Sequence, residues 1–326
     1  MKNFPVEVAD DIASIAKSSG VVSAELCSKI CKKLNIGYES LMIELLPLAA
    51  EYAVAPISSF YVGAIVRGVE KDHNGMANLY FGANLEFENQ ALGHSVHAEQ
   101  AALSNAWLHG ETDITAVAIS APPCGHCRQF FVEVAGDKPL KILLPKGSYK
   151  GLTVEAPDPD VSFDRIDLSQ LIPAAFGPLD LGCERLLMEQ SPAAITLTLA
   201  DQFENKQVDE DYLDDQLVQL ALSAANASYA PYTNNFAGCA IELSTGEMVQ
   251  GRYAENAAYN PSLPPLAAAL SQAVLATKIT KAQDVKRAVL VENPTKTSQA
   301  NVSKLLLKEC LNNVTLEVFH TRTINI

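Results

Sequence analysis

This sequence predicts an α/β fold that is duplicated along the chain, and three observations carry the prediction. Strand candidates alternate with helix candidates between Tyr61 and Pro145, and that alternation favours layered α/β packing over an all-β structure. Two motifs that need helix starts, HAEQ at His97–Gln100 and PCGHC at Pro123–Cys127, fall at the joins. The second half also repeats the spacing of the first. Ala55–Pro56, with Gly63 seven residues after the proline, recurs as Ala230–Pro231 with Gly238, and GANLE from Gly82 recurs as GRYAE from Gly251.

Residues 1–47 read as an N-terminal helical segment. SAELCSKICKKL has Ser23 as its N-cap and apolar groups at helical spacing, Ser40 precedes the apolar run LMIELL, and Pro47 is expected to open a further helix, PLAAEYA. A first domain follows over 48–190. YVGAIVRG, LYFGANLE, AVAISA and LKILLP are its strand candidates, with helices led by HAE and CGHC between them. VEAPDPDVSFD reads as a loop, and the acidic stretch from about 200 to 216 reads as a linker. Residues 191–326 form the second domain.

Composition limits the function. The chain has 326 residues, enough for two cores, and no apolar run approaches the roughly 20 residues of a membrane span. MKNFPVEVADD has no apolar signal core, so a soluble cytoplasmic protein is expected, with no membrane partner. A net charge of −14 and the absence of a basic stripe argue against a nucleic-acid partner. The seven cysteines are scattered; Cys27, Cys31, Cys183, Cys239 and Cys310 read as reduced, buried small apolar residues.

Cys124 and Cys127, two sulfurs on one turn, together with the imidazole of His97 form a donor set that selects Zn²⁺ over Mg²⁺ or Ca²⁺. Three protein ligands leave one tetrahedral position for a water, whose pKa zinc lowers to about 7. Glu99 lies two residues after His97, a carboxylate free to move protons. Side chains two apart on a regular helix face nearly opposite ways. His97 must therefore precede regular helix geometry, and two helix N-termini would then point at the metal and stabilise thiolates.

H-x-E followed by P-C-x-x-C resembles the zinc-dependent nucleobase deaminases. With FGANLE, VHAEQAA and APPCGHCRQF the resemblance narrows to the cytidine deaminases, in their long two-core bacterial form, and it covers nearly the whole chain. It implies a three-layer α/β/α core, duplicated, after an N-terminal helical segment. It also implies zinc-dependent hydrolysis of cytidine and 2′-deoxycytidine to the uridine products and ammonia, as in pyrimidine salvage. One Zn²⁺ per chain would be held by His97, Cys124 and Cys127, with Glu99 catalytic. Asn84, Glu86, Phe60, Ala98 and Phe176 would bind the nucleoside, and two chains would form a homodimer.

Several of these assignments have a second reading from the residues alone. Asn84 and Glu86, two apart on a strand, face the same way and can reach a ribose hydroxyl; they also read as an exposed strand end. Phe60 reads equally as a core aromatic, and Phe176 as covering its own site or a partner's. Arg128 is either a donor to a sulfur or a solvent-exposed side chain. A structural zinc with His94 or His126 as fourth ligand, a deaminase acting on polynucleotide, and a non-enzymatic nucleoside-binding regulator are the rival functions. In the second domain His97 falls on Pro264 and Glu99 on Leu266, and no Cys stands where PCGHC would be. That domain is expected to keep the scaffold and hold no metal.

Overall fold

The computed structural model describes residues 4–15, 18–70, 75–148, 162–189, 196–199, 202–203, 206–207, 212, 214–277, 284–310 and 314–324. The loop around Pro157 and most of the acidic stretch from Asp209 lie outside the described residues. After α1 (Ala9–Ile15) comes a two-residue strand, β1 (Val21–Val22), then α2 (Ala24–Leu34) and α3 (Tyr38–Ala50). Ser23 caps α2 as expected, its Oγ accepting the Leu26 N–H at 3.2 Å. Two details differ from the expectation. The N-terminal segment is not wholly helical, because β1 adds to the first sheet beside Leu79 and Tyr80. Pro47 does not open a helix but lies inside α3 on its exposed side, where a carbonyl deprived of its N–H partner can turn to water.

The first core continues with β2 (Gly63–Glu70), β3 (Ala77–Ala83), α4 (Ala98–Leu108), β4 (Ala116–Ile119), α5 (Gly125–Ala135), β5 (Lys141–Pro145), β6 (Phe163–Asp167) and α6 (Leu168–Leu171). The sheet runs β1-β3-β2-β4-β5-β6, with β4–β5 its parallel pair. Alternation along the strands sends side chains to both faces. Ile65, Leu79, Phe81 and Leu143 pack under α2 and α3, whereas Ala64, Val66, Val117 and Ile142 pack towards α4 and α5. This is the expected α/β/α layering.

The second core begins with β7 (Thr196–Leu199), the small pair β8 (Gln202–Phe203) and β9 (Lys206–Gln207), and α7 (Gln216–Asn226). It then runs through β10 (Ala237–Leu243), β11 (Met248–Arg252), α8 (Pro265–Thr277), β12 (Val285–Glu292), α9 (Ala300–Cys310) and β13 (Leu316–Ile324). Its sheet order is β11-β10-β12-β13-β7, and the parallel pair β12–β13 stands where β4–β5 stands in the first.

The duplication extends to atomic detail. A Cβ on Gly82 would lie 2.1 Å from the Ala102 nitrogen of α4, and one on Gly251 would lie 2.3 Å from the Ala269 nitrogen of α8. Gly63 meets the backbone of α3 at Ala50, and Gly238 meets that of α7 at Ala225. Each core thus uses two glycines to let a helix lie directly on a strand. One continuous apolar cluster joins α4 and α5 to α8 and α9. The two sheets therefore share a central helical layer, with α2 and α3 outside one and α7 outside the other.

Candidate functional site

The local sequence puts His97 and Cys124 at the two positions that a helix start needs. Each is an N-cap with extended backbone, His97 at φ −83°, ψ 151° before α4 and Cys124 at φ −71°, ψ 169° before α5. His97 therefore stands outside regular helix geometry, which lets it share a site with Glu99 in the first turn of α4. Cys127 stands in the first turn of α5, three residues after Cys124.

His97 Nδ1 lies 3.3 Å from Cys127 Sγ and 3.5 Å from Cys124 Sγ. The three ligating atoms fall within 4.8 Å of one another. A tetrahedral zinc with Zn–S of about 2.3 Å and Zn–N of about 2.0 Å requires N···S edges of about 3.5 Å. The donor set and its spacing fit that ion. Cys127 is buried, His97 half-buried and Cys124 exposed, so the site opens towards solvent on the Cys124 side.

Glu99 is 5% exposed and lies outside the ligand set. Burial pushes its carboxyl above the ordinary carboxylate range, and Cys127 is within hydrogen-bonding reach. The hydrogen bond from Cys127 holds the Cys124 thiol down to about 3, and the same bond pushes Cys127 up. A dication between the sulfurs would favour both as thiolates. The His126 ring stacks on His97 with centroids 5.0 Å apart, and His94 Nδ1 lies 3.3 Å from Gln90 Oε1. Neither belongs to the ligand cluster.

Of the expected nucleoside-binding residues, Asn84, Glu86 and Phe60 meet at one loop, whereas Phe176 and Ala98 lie on other segments. Asn84 Nδ2 donates to the Phe60 carbonyl at 2.9 Å, and its Oδ1 accepts the Val62 N–H at 2.8 Å. Glu86 accepts the N–H groups of Ile57 and Ser58 at 2.9 and 3.0 Å, and the Ser58 hydroxyl at 2.5 Å. Strand β3 ends at Ala83, yet both side chains reach the 57–62 loop and so hold a common structure. Phe60 is 60% exposed and thus no core aromatic; Phe176 is 46% exposed, and its carbonyl accepts from Gln129 Nε2 at 2.6 Å. Ala98 is buried as the first residue of α4. Arg128 Nε donates to the Pro123 carbonyl at 2.8 Å and Nη1 to that of Leu171 at 3.0 Å, joining the PCGHC turn to the end of α6.

Gln100 is the residue that reading the sequence left without a role. Its Oε1 accepts the backbone N–H of His97 at 3.3 Å. The spacing of a cap residue with Gln three positions on is a known helix-start pattern, and it is visible in HAEQ.

Three converging soft and borderline ligands beside a buried carboxyl define a metal-assisted hydrolytic site. Models of the cytidine and deoxycytidylate deaminase zinc-binding region match residues 38–141 and 168–304. The cytidine deaminase of Vibrio parahaemolyticus is 42% identical over 301 residues, 92% of this chain and 86% of that one. The cytidine deaminase of Aliivibrio fischeri is 39% identical over 295 residues, 90% and 86% of the two chains. A crystal structure of cytidine deaminase from Burkholderia pseudomallei, 28% identical, covers 42% of this chain and 97% of its own with a TM-score of 0.32. The chain belongs to the cytidine deaminase family. The second match falls on the core in which Pro264 and Leu266 replace the histidine and glutamate.

Proposed function

We propose that the protein catalyses the zinc-dependent hydrolytic deamination of cytidine and 2′-deoxycytidine to uridine and 2′-deoxyuridine, with release of ammonia. The observation that carries this reading is the buried Glu99 carboxyl beside the His97, Cys124 and Cys127 cluster. Those three residues would hold Zn²⁺, which supplies Lewis acidity and makes a water acidic near neutral pH. Glu99 accepts a proton from the attacking water and passes it to ring N3 as the oxygen bonds to C4. It then carries the remaining hydroxyl proton to the amine, the C4–N4 bond breaks, and ammonia leaves. Burial raises this carboxyl's affinity for a proton, which suits an ionised group that must first take a proton and then return it.

Asn84 and Glu86 face the ribose in this reading, the second N–H of the Asn84 amide and a free lone pair of Glu86 meeting a sugar hydroxyl. Phe60 and Phe176 border the base, and Ala98 offers backbone at the start of α4. Residues 48–190 act as the catalytic domain after the 1–47 segment, and 191–326 as its metal-free companion. Two chains assemble as a homodimer; the exposure of Phe60, Tyr61, Phe176, Leu179 and Tyr259 supports an apolar contact near the site. Among the described residues no helix is long and apolar enough to cross a membrane.

The test follows cytidine absorbance with time for wild type and Glu99→Ala, with zinc quantified in both. Conversion by the wild type, and loss of conversion in a variant that keeps its zinc, supports the reading. A wild type that holds zinc but leaves both nucleosides unchanged defeats it.

A further inference from the structure

Besides the Tyr229 and Tyr232 hydroxyls, which donate to Glu133 of α5, the second core reaches the metal-bearing helices through the short loop Asn256–Pro261. Gln100, 2% exposed, uses the other end of its amide to donate from Nε2 to the Pro261 carbonyl at 2.9 Å. The same side chain that caps the His97 backbone is thereby held by the second core. Five residues earlier in that core, Asn256 is fully buried and donates from Nδ2 to the Gln129 carbonyl of α5 at 3.1 Å. Its Oδ1 accepts the Ala258 N–H at 3.0 Å, which fixes the loop's own turn. The segment from Asn256 to Pro261 therefore ties α4 and α5 together just beyond their metal-bearing ends.

We infer that Asn256 and Gln100 are positioning residues for the metal ligands, and that the degenerate core acts within its own chain as a clamp fixing the distance between His97 and the two cysteines. The ligands come from two separate helices, and zinc tolerates only a few tenths of an ångström in each bond. A histidine ligand held through its own backbone, and a helix held through one carbonyl, are supports from behind the ligands, a kind of contact whose loss typically weakens metal binding. The inference rests on the reading that His97, Cys124 and Cys127 hold the metal.

The test loads the full chain with Co²⁺ and compares wild type with Asn256→Ser, Gln100→Met and, as a control, Cys124→Ala. Serine keeps an acceptor for the Ala258 N–H but is too short to reach Gln129; methionine fills the space of glutamine without either hydrogen bond. Far-UV circular dichroism checks folding, the visible cobalt spectrum reports ligand geometry, and transfer to a chelator reports the rate of metal loss. Both variants are expected to fold, to show an altered cobalt spectrum, and to lose metal about tenfold faster or more than wild type. Folded variants with the wild-type spectrum and a loss rate within about twofold, well under that expectation, overturn the clamp. Asn256→Ser decides alone if Gln100→Met does not fold. A wild type with no cobalt signal distinct from Cys124→Ala overturns the metal-site reading, and the clamp with it.

Discussion

Glu86 and Glu255 grip the same turn in the two cores. Glu86 accepts the N–H groups of Ile57 and Ser58 and the Ser58 hydroxyl; Glu255 accepts those of Tyr232 and Thr233 and the Thr233 hydroxyl. Glu255 is 2% exposed, so its removal strands donors away from water. Glu255→Ala is expected to cost about 3 kcal/mol in urea unfolding, and Glu86→Ala, which water can partly repair, about half that. The Glu86 variant should also raise KM for cytidine. Equal and small stability losses would refute the role of burial.

Gly82→Ala and Gly251→Ala test the helix-on-strand contacts. The added methyl meets helix backbone in either core, and backbone cannot rotate away as a side chain can. Each variant should lose about 2–3 kcal/mol or more. The displaced helix in Gly82→Ala is α4, so that variant should also lose turnover. Unchanged denaturation midpoints would show that the helices move without penalty.

Asp215 gives stability a dependence on acid. It caps α7, accepting the Leu217 and Val218 N–H groups at 2.8 and 3.1 Å, and pairs with Arg287 at 2.6 Å. Burial alone would raise its carboxyl, but Arg287 and the helix N–H groups outweigh burial and hold it below 3.8. The unfolded chain then binds more protons in the window beneath that value, so the contribution is complete above it and is lost as pH falls through the folded pKa. Wild type should exceed Asp215→Asn by about 1 kcal/mol at neutral pH. The gap should close in acid; a gap that persisted there would mean that the charge contributes nothing.

Metal removal should destabilise the folded chain. Any ligand bound only by the folded state adds RT ln(1 + [L]/Kd), about 4 kcal/mol at a thousandfold excess over Kd. The zinc-loaded protein should therefore melt above the chelated, reduced protein, and Cys124→Ala should show no such difference. Equal melting of loaded and chelated wild type would count against an ion bridging the two helices.

His97, Glu99, Cys124 and Cys127 were legible because the chemistry and the two helix starts demand those residue types at short, fixed spacing. The repeat was legible through Gly82 and Gly251, where nothing larger fits between strand and helix. The contacts from Gln100 to Pro261 and from Asn256 to Gln129 were not, since they join residues 161 and 127 positions apart and leave no local pattern. Val21–Val22 is too short to show strand alternation. Pro47 misled because a helix accepts proline in its interior where the affected carbonyl faces water. Asn84 and Glu86 were expected as a polar pair, but their grip on the 57–62 loop depends on a chain reversal that spacing does not reveal.

Helix α4 is buried at every position from Ala98 to Trp107, with strands and helices of both cores around it. Its amide protons should be among the last to exchange with solvent, because it lies between its own sheet and the second core. The carboxylate of Glu99 is thus carried on one of the stiffest parts of the molecule. Phe60 and Phe176 are 60% and 46% exposed, so substitutions there should disturb the fold far less than substitutions in α4.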